Sequence, residues 1–355
     1  MSARLGLLDG DGIGPEIVPA AAHVVDAAVA AVDRTVEWVP LPVGRAAIDE
    51  HGTALPQSTS DALARLDGWL LGPHDSASYP EPHRAQLNPS GTLRTRFGLY
   101  ANIRPAKAFP GARAVAEDID LVIARENTEG FYADRNTHAG SGEFMPTADV
   151  AIAHAVITRR AVERIAHTAF RLARARRKRL TIAHKANVLQ LTSGMFREVC
   201  REVGAQYPDV AVDDFHIDAL AAHLVRRAGE FDVLVAENMF GDILSDLTAE
   251  LAGSLGIAPS LNASDERAMA QAAHGSAPDI AGKGIANPTA MILSAGMLLE
   301  WLGERRGDEA LPRAAELIRS AVEGTVRAGT CTPDMGGTAS TEEFATAVRG
   351  AVAGA

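Results

Sequence analysis

The order of apolar segments constrains this chain more than any single motif. Short apolar runs, expected as strands, fall at residues 4–8, 36–39, 68–71, 99–107, 120–125, 150–158, 179–184, 210–216 and 231–236. Between them lie amphipathic stretches, expected as helices, over 15–32, 159–177, 192–204, 218–227, 242–252, 288–302 and 312–328. Such alternation predicts α/β architecture with open, largely parallel sheets, because helices must cover both faces of strands that are apolar throughout. A chain of 355 residues is long for one small core and implies two domains or one unusually large α/β unit.

Composition excludes several classes of function. A net charge of −11 gives no general attraction to nucleic acid or anionic membranes. Any anionic substrate must therefore be drawn by local basic residues. The basic run 171–179 ends an expected helix, where cations are favoured, and reads as a solvated end. Cys200 and Cys331 form neither a metal spacing nor a disulfide framework, which fits a reducing cytoplasm. Cys200 falls on an expected helix and reads as packing. The apolar run 5–8 is too short for a signal peptide, and no stretch is long enough to span a bilayer.

Familiar nucleotide motifs are missing. Gly10, Gly12 and Gly14 follow the first strand at the wrong spacing for G-x-G-x-x-G, and neither a P-loop nor a G-x-S-x-G elbow is present. The best nucleotide candidate is the Gly-rich loop at 274–288, ahead of a helix opened by Pro288. Backbone N–H groups there would face a phosphate or ribose, and Asp279 would accept from a ribose diol while repelling a 2′-phosphate. An ordinary surface loop rich in turn formers has the same composition.

Asp242 and Asp246 stand four residues apart where a helix is expected to follow the run 231–236. Residues at i and i+4 share a helix face, and hard oxygen donors suit Mg²⁺ or Mn²⁺. A negatively charged first helical turn, favoured by the helix dipole, explains the same spacing. Spacing alone leaves both readings open.

Taken in order, the motifs resemble the β-decarboxylating isocitrate/isopropylmalate/tartrate dehydrogenase family. The resemblance runs from Gly10-Asp11-Gly12-Ile13-Gly14-Pro15-Glu16 to Thr332-Pro333-Asp334-Met335-Gly336-Gly337. Between these lie Asn102-Ile103-Arg104-Pro105, Arg125-Glu126-Asn127-Thr128-Glu129-Gly130, Lys185-Ala186-Asn187-Val188, the Asp242/Asp246 helix and the His274 loop. Each is modest singly, and the ordered set is specific because separate motifs multiply.

The resemblance implies an isopropylmalate dehydrogenase-like two-domain α/β fold with a non-Rossmann nucleotide site. Residues 1–100 and 253–355 would form a discontinuous cofactor-binding domain. Residues 101–252 would be an inserted dimerisation, substrate and metal domain, with 128–147 a loop or protruding hairpin that serves as a dimer arm. It further implies a homodimer whose active sites are shared between subunits. In this family, Arg94, Arg104 and Arg125 match the arginines that grip the malate carboxylates, with Ser90 and Asn187 also on the substrate. Tyr132 and Lys185 match the acid–base pair, Lys185 being expected buried near cations. Asp242 and Asp246 match metal ligands, and Asp218 the ligand given by the neighbouring subunit; by itself Asp218 reads equally as the N-terminal acid of its helix. His274, Gly275, Ser276, Ala277, Pro278, Asp279, Ile280 and Asn287 match the cofactor loop. Asp279-Ile280 stands where NADP-using members carry Lys-Tyr, so NAD is the expected cofactor.

The substrate side departs from the family. Ser90 and Gly91 occupy positions held by paired leucines in isopropylmalate enzymes, which removes the apolar wall an isopropyl group needs. The segment Leu71-Gly72-Pro73-His74-Asp75 fits neither main subgroup, and Gln271-Ala272-Ala273 replaces the usual Glu-Pro before the loop histidine. The expected reaction is NAD- and metal-dependent oxidative decarboxylation of a 3-substituted malate. A tartrate- or D-malate-type dehydrogenase is the enzymatic alternative. A regulatory subunit of a heteromeric isocitrate dehydrogenase is the non-catalytic one.

Overall fold

A computed structural model describes residues 2–137 and 140–354. In the first part, β1 (Ser2–Leu8) leads into α1 (Gly14–Ala30), then β2 (Thr35–Pro40), α2 (Gly44–His51), α3 (Gln57–Leu63), β3 (Gly68–Leu71) and α4 (Pro89–Arg96). The middle holds β4 (Ala101–Lys107), β5 (Asp120–Glu126), β6 (Glu143–Thr147), β7 (Val150–Ala153), α5 (Arg159–Ala175), β8 (Arg179–His184), α6 (Thr192–Gly204), β9 (Ala211–His216), α7 (Ile217–Arg227), β10 (Val233–Ala236) and α8 (Asn238–Ala252). The last part holds β11 (Leu261–Ala263), β12 (Ala268–Ala270), α9 (Thr289–Arg306), α10 (Ala310–Arg327) and α11 (Thr341–Ala353).

Ten strands form one sheet in the order β2-β1-β3-β12-β11-β4-β5-β10-β8-β9. The expected α/β class holds, with one correction: the sheet is single and divided in direction. β2, β1, β3 and β12 run parallel, as do β5, β10, β8 and β9, but β12-β11, β11-β4 and β4-β5 are antiparallel. The two parallel blocks therefore point in opposite directions. β3 and β10 are buried at every position, as befits apolar strands between helical layers. α5 buries Val162, Ile165, Ala166, Ala169, Phe170 and Ala173 at three- and four-residue spacings, packing a cluster that also holds Cys200. A larger core joins α1, α9 and α10 to Leu121, Ile123, Leu234 and Leu244 of the middle segment.

The expected strand at 150–158 is absent from the main sheet. β7 ends at Ala153 and pairs only with β6, in a two-stranded hairpin exposed at every position. Val156 makes a lone bridge to Gly130. The arm expected at 128–147 is thus a turn followed by a hairpin that continues past residue 147. Among the described residues, no helix is long and apolar enough to cross a membrane.

Candidate active site

β4 and β5 pair so that Asn102 opposes Arg125 and Arg104 opposes Ile123. Alternation along each strand then puts Asn102, Arg104 and Arg125 on one face, and α8 lies across it. Gly241 permits the close approach, since a Cβ there would stand 2.8 Å from Cβ and Cγ of Arg125. Both guanidinium groups are buried, which requires them to be paired. Arg125 donates to Asp242 Oδ1 at 2.5 Å and to Asn238 Oδ1 at 2.7 and 2.9 Å. Arg104 donates to the same Asp242 oxygen at 3.0 Å, to Ser245 Oγ at 2.6 Å and to Asn102 Oδ1 at 3.1 Å. The Tyr132 hydroxyl donates to Asp242 Oδ2 at 2.8 Å, and the Arg125 guanidinium sits 5.7 Å from the Tyr132 ring centroid. Of these, Arg104, Arg125, Tyr132 and Asp242 line a cleft of about 320 Å³ together with Ser90, Arg94, Gln271, His274 and Gly275.

The rest of the motif after β5 is structural. The Glu126 carboxylate accepts from the N–H groups of Thr128 and Glu129, and Glu129 accepts from the Thr158 N–H and hydroxyl. This folded turn delivers Tyr132 to the cleft.

α8 begins at Asn238, one turn before the expected start, so Asp242 and Asp246 are not in its first turn. The helix-dipole explanation of the pair is thereby removed. Burial alone raises the Asp242 carboxyl, but Arg125, Arg104 and the Tyr132 hydroxyl outweigh it and hold the group below the usual carboxylate range. Asp246 is raised by burial and by Asp242, with Arg104 at 3.7 Å offsetting only part. Two hard oxygen donors on successive turns, one firmly ionised, fit a divalent cation. Among the described residues, no group of three His, Cys, Asp or Glu side chains gathers as a metal set.

A polar wall closes the cleft on the α4 side. Asn88 caps α4, accepting from the Gly91 N–H at 2.8 Å. Gln271 donates to Ser90 Oγ at 2.7 Å and to the Gly72 carbonyl at 3.2 Å, and accepts from Arg94 at 3.3 Å. Beneath it, Asp11 accepts from the Tyr79 hydroxyl at 2.5 Å and from the N–H groups of Arg45 and Asp75. Burial raises the Asp11 carboxyl, but His74 at 3.8 Å, those N–H groups and Tyr79 pull it down to about 2. Asn238 and Ser245 were not singled out by sequence as site residues, and Gln271 was noted only as part of a departure from the family pattern. Asn238 had a readable signal, because 238, 242 and 246 form one i, i+4 stripe.

The Gly10–Glu16 turn cradles the 274–288 loop. Gly12 has φ 58°, and a Cβ there would stand 2.0 Å from the Ser276 carbonyl, which accepts from the Ile13 N–H. Glu16 accepts from the N–H groups of Gly282 and Gly284 at 2.6 and 3.0 Å. Those two donors, expected to face a phosphate, are instead spent within the protein. The Asn287 amide donates to Asp334 and its carbonyl accepts from the Thr289 N–H, placing it at the start of α9. His274 and Gly275 reach the cleft; Ser276, Ala277, Pro278, Asp279 and Ile280 continue away from its lining, with Asp279 exposed. Burial lowers the His274 imidazole.

Lys185 and Asp218 meet each other elsewhere. Lys185 Nζ donates to Asp218 Oδ1 at 2.5 Å, and this bond holds the Asp218 carboxyl below its usual range. Within one chain, Lys185 is partly exposed beside this carboxylate. Asp218 does lie in the first turn of α7. Asn187 is exposed, and Val188 and Leu191 beside it are 66% and 88% exposed.

A sequence model of the isocitrate/isopropylmalate dehydrogenase family matches residues 4–348. An isocitrate/homoisocitrate dehydrogenase of Thermus thermophilus is 45% identical over 98% of both chains. A 3-isopropylmalate dehydrogenase of Archaeoglobus fulgidus is 42% identical over 97% of this chain and 98% of the relative. The crystal structure of an isocitrate dehydrogenase from Methylococcus capsulatus superimposes with a TM-score of 0.88 at 41% identity, covering 99% of each chain.

Proposed function

Because this chain belongs to the isocitrate/isopropylmalate dehydrogenase family, we propose that it catalyses NAD-dependent, Mg²⁺- or Mn²⁺-dependent oxidative decarboxylation of a 3-substituted malate. The observation that carries the reading is the convergence of Arg94, Arg104, Arg125, Tyr132 and Asp242 on one cleft. Three guanidinium groups supply forks for the two malate carboxylates, in a protein whose net charge would otherwise repel a dianion.

Asp242 and Asp246 would hold the metal from this chain, and Asp218 from a second copy. A metal held there would supply Lewis acidity at the C2 oxygen, and the 274–288 loop would hold NAD⁺ as the hydride acceptor. Lys185 of the second copy would take the C2 hydroxyl proton. Tyr132, aimed by its bond to Asp242, would return a proton to the carbon that loses CO₂. The dimer is supported by exposed apolar residues on separate elements: Phe144, Met145, Val150 and Ile152 of the hairpin, Val188 and Leu191 beside Lys185, and Ile243 of α8. We assign the enzyme to the cytoplasm on its cysteine usage, both thiols being free and buried.

The test is turnover of a panel of malates differing at C3, with NAD⁺ and Mn²⁺, repeated after EDTA treatment. Metal-dependent reduction of NAD⁺ by at least one substituted malate is expected. Activity that survives complete metal removal, or none with any malate, rejects the reading.

A further inference from the structure

We infer that Gln271 sets the hydrogen-bonding polarity of the cleft's substrate-selecting wall by turning the Ser90 hydroxyl into a donor for an anionic group on the substrate's C3 substituent. The inference rests on the proposed reaction and names the substrate class within it.

The amide orientation of Gln271 is dictated by its neighbours. Its nitrogen faces the Gly72 carbonyl, which only accepts, and its oxygen faces the Arg94 guanidinium, which only donates. Reversing the amide would break both contacts. The same nitrogen donates to Ser90 Oγ at 2.7 Å, so the Ser90 oxygen is an acceptor there and its hydrogen must point elsewhere. Ser90 and Gln271 are both buried, at 9% and 7% exposure, and both line the cleft. A donor at that wall, with Arg94 alongside, selects an oxygen acceptor and leaves an alkyl group without contact energy. A glutamate at position 271 would do the opposite. Its carboxylate would accept a hydrogen bond from the Ser90 hydroxyl, leave only Ser90 lone pairs toward the cleft and face the Gly72 carbonyl with like partial charge.

Gln271→Glu and Ser90→Ala test this against the wild type, each with NAD⁺ and Mn²⁺. Two substrates are used: isocitrate, whose C3 substituent is a carboxylate, and 3-isopropylmalate, whose substituent is apolar. The readout is the ratio of kcat/KM for the two, with calorimetric Kd values for the same compounds. Gln271→Glu also adds a charge beside Arg94, so its ratio reports both effects, whereas Ser90→Ala leaves Arg94 untouched and isolates the hydroxyl. The wild type is expected to favour isocitrate, and each variant to lower the preference about tenfold or more, chiefly through KM. A variant that weakens both substrates equally, or a Ser90→Ala preference equal to wild type, overturns the inference. A wild type that binds isocitrate with the expected preference but turns over neither it nor any other malate of the panel keeps the inference and rejects the proposed reaction.

Discussion

Asp242→Asn is mild in shape, yet the surroundings of this carboxylate make it costly. Arg104 and Arg125 share Oδ1, at 3.0 and 2.5 Å, and are only 6% and 2% exposed. The substitution removes the anion that two buried guanidinium groups share, and breaking a buried pair costs about 3–5 kcal/mol. The Asp242 side chain is 31% exposed and asparagine retains one acceptor oxygen, which together reduce the loss to about 2–3 kcal/mol. For a chain of this length that is a fall of about 3–4 °C in melting temperature, measured without metal. The pH dependence follows from the depressed carboxyl. A group whose folded pKa lies below its unfolded value stabilises above about pH 4 and loses that contribution as pH falls through the folded value. The gap between wild type and variant should therefore be full at pH 7 and shrink as the pH drops below about 4. An Asp242→Asn variant as stable as wild type at pH 7, or a gap unchanged in acid, would refute the reasoning.

Asp11→Asn should cost about 2 kcal/mol at neutral pH, since the wild-type group falls from an ordinary 3.8 to about 2 on folding. That difference should fade as pH falls from about 4 toward 2, by urea titration across pH. Mixing inactive Lys185→Ala and Asp242→Asn chains should restore activity, because one site of a mixed dimer would have every group intact; no recovery after verified subunit exchange would show that each site belongs to one chain. Asp279→Lys with Ile280→Tyr should weaken or invert a preference for NAD⁺ over NADP⁺ of about a hundredfold in kcat/KM, by removing a like charge opposite the 2′-phosphate. Steady-state kinetics with both cofactors checks this, and an unchanged preference would show that Asp279 does not read the ribose.

The long strands and helices were legible because their apolar periodicity is local. β11 and β12 have three residues each and no period to read; only pairing with β4 and β3 makes them strands. α11 was missed despite a usable signal, the capping box between Ser340 and Glu343. α4 had another, Asn88 capping ahead of Pro89. Within the cleft, Arg94, Arg104, Arg125 and Asp242 were legible through the family's ordered motifs. Their partners were not. Gln271 meets Ser90 and Gly72 across 181 and 199 residues, so neither spacing nor composition announces those bonds. Lys185 and Asp218 were named for separate roles, and their direct ion pair across 33 residues was not legible. The Gly-rich turn after β1 was read as a family motif and by the nucleotide spacing it lacks, and its packing role was not legible: its positive-φ glycines are what let the 274–288 loop pack against it.

The proposed chemistry couples two events, loss of a hydride and loss of CO₂, on one substrate. Measuring both products in the same reaction, reduced nicotinamide by absorbance and CO₂ from a labelled β-carboxylate, tests it most directly. One CO₂ should appear for each NADH, under every limiting concentration of substrate. Reduction of NAD⁺ with the β-carboxylate retained would contradict the account and identify a simple hydroxy-acid dehydrogenase.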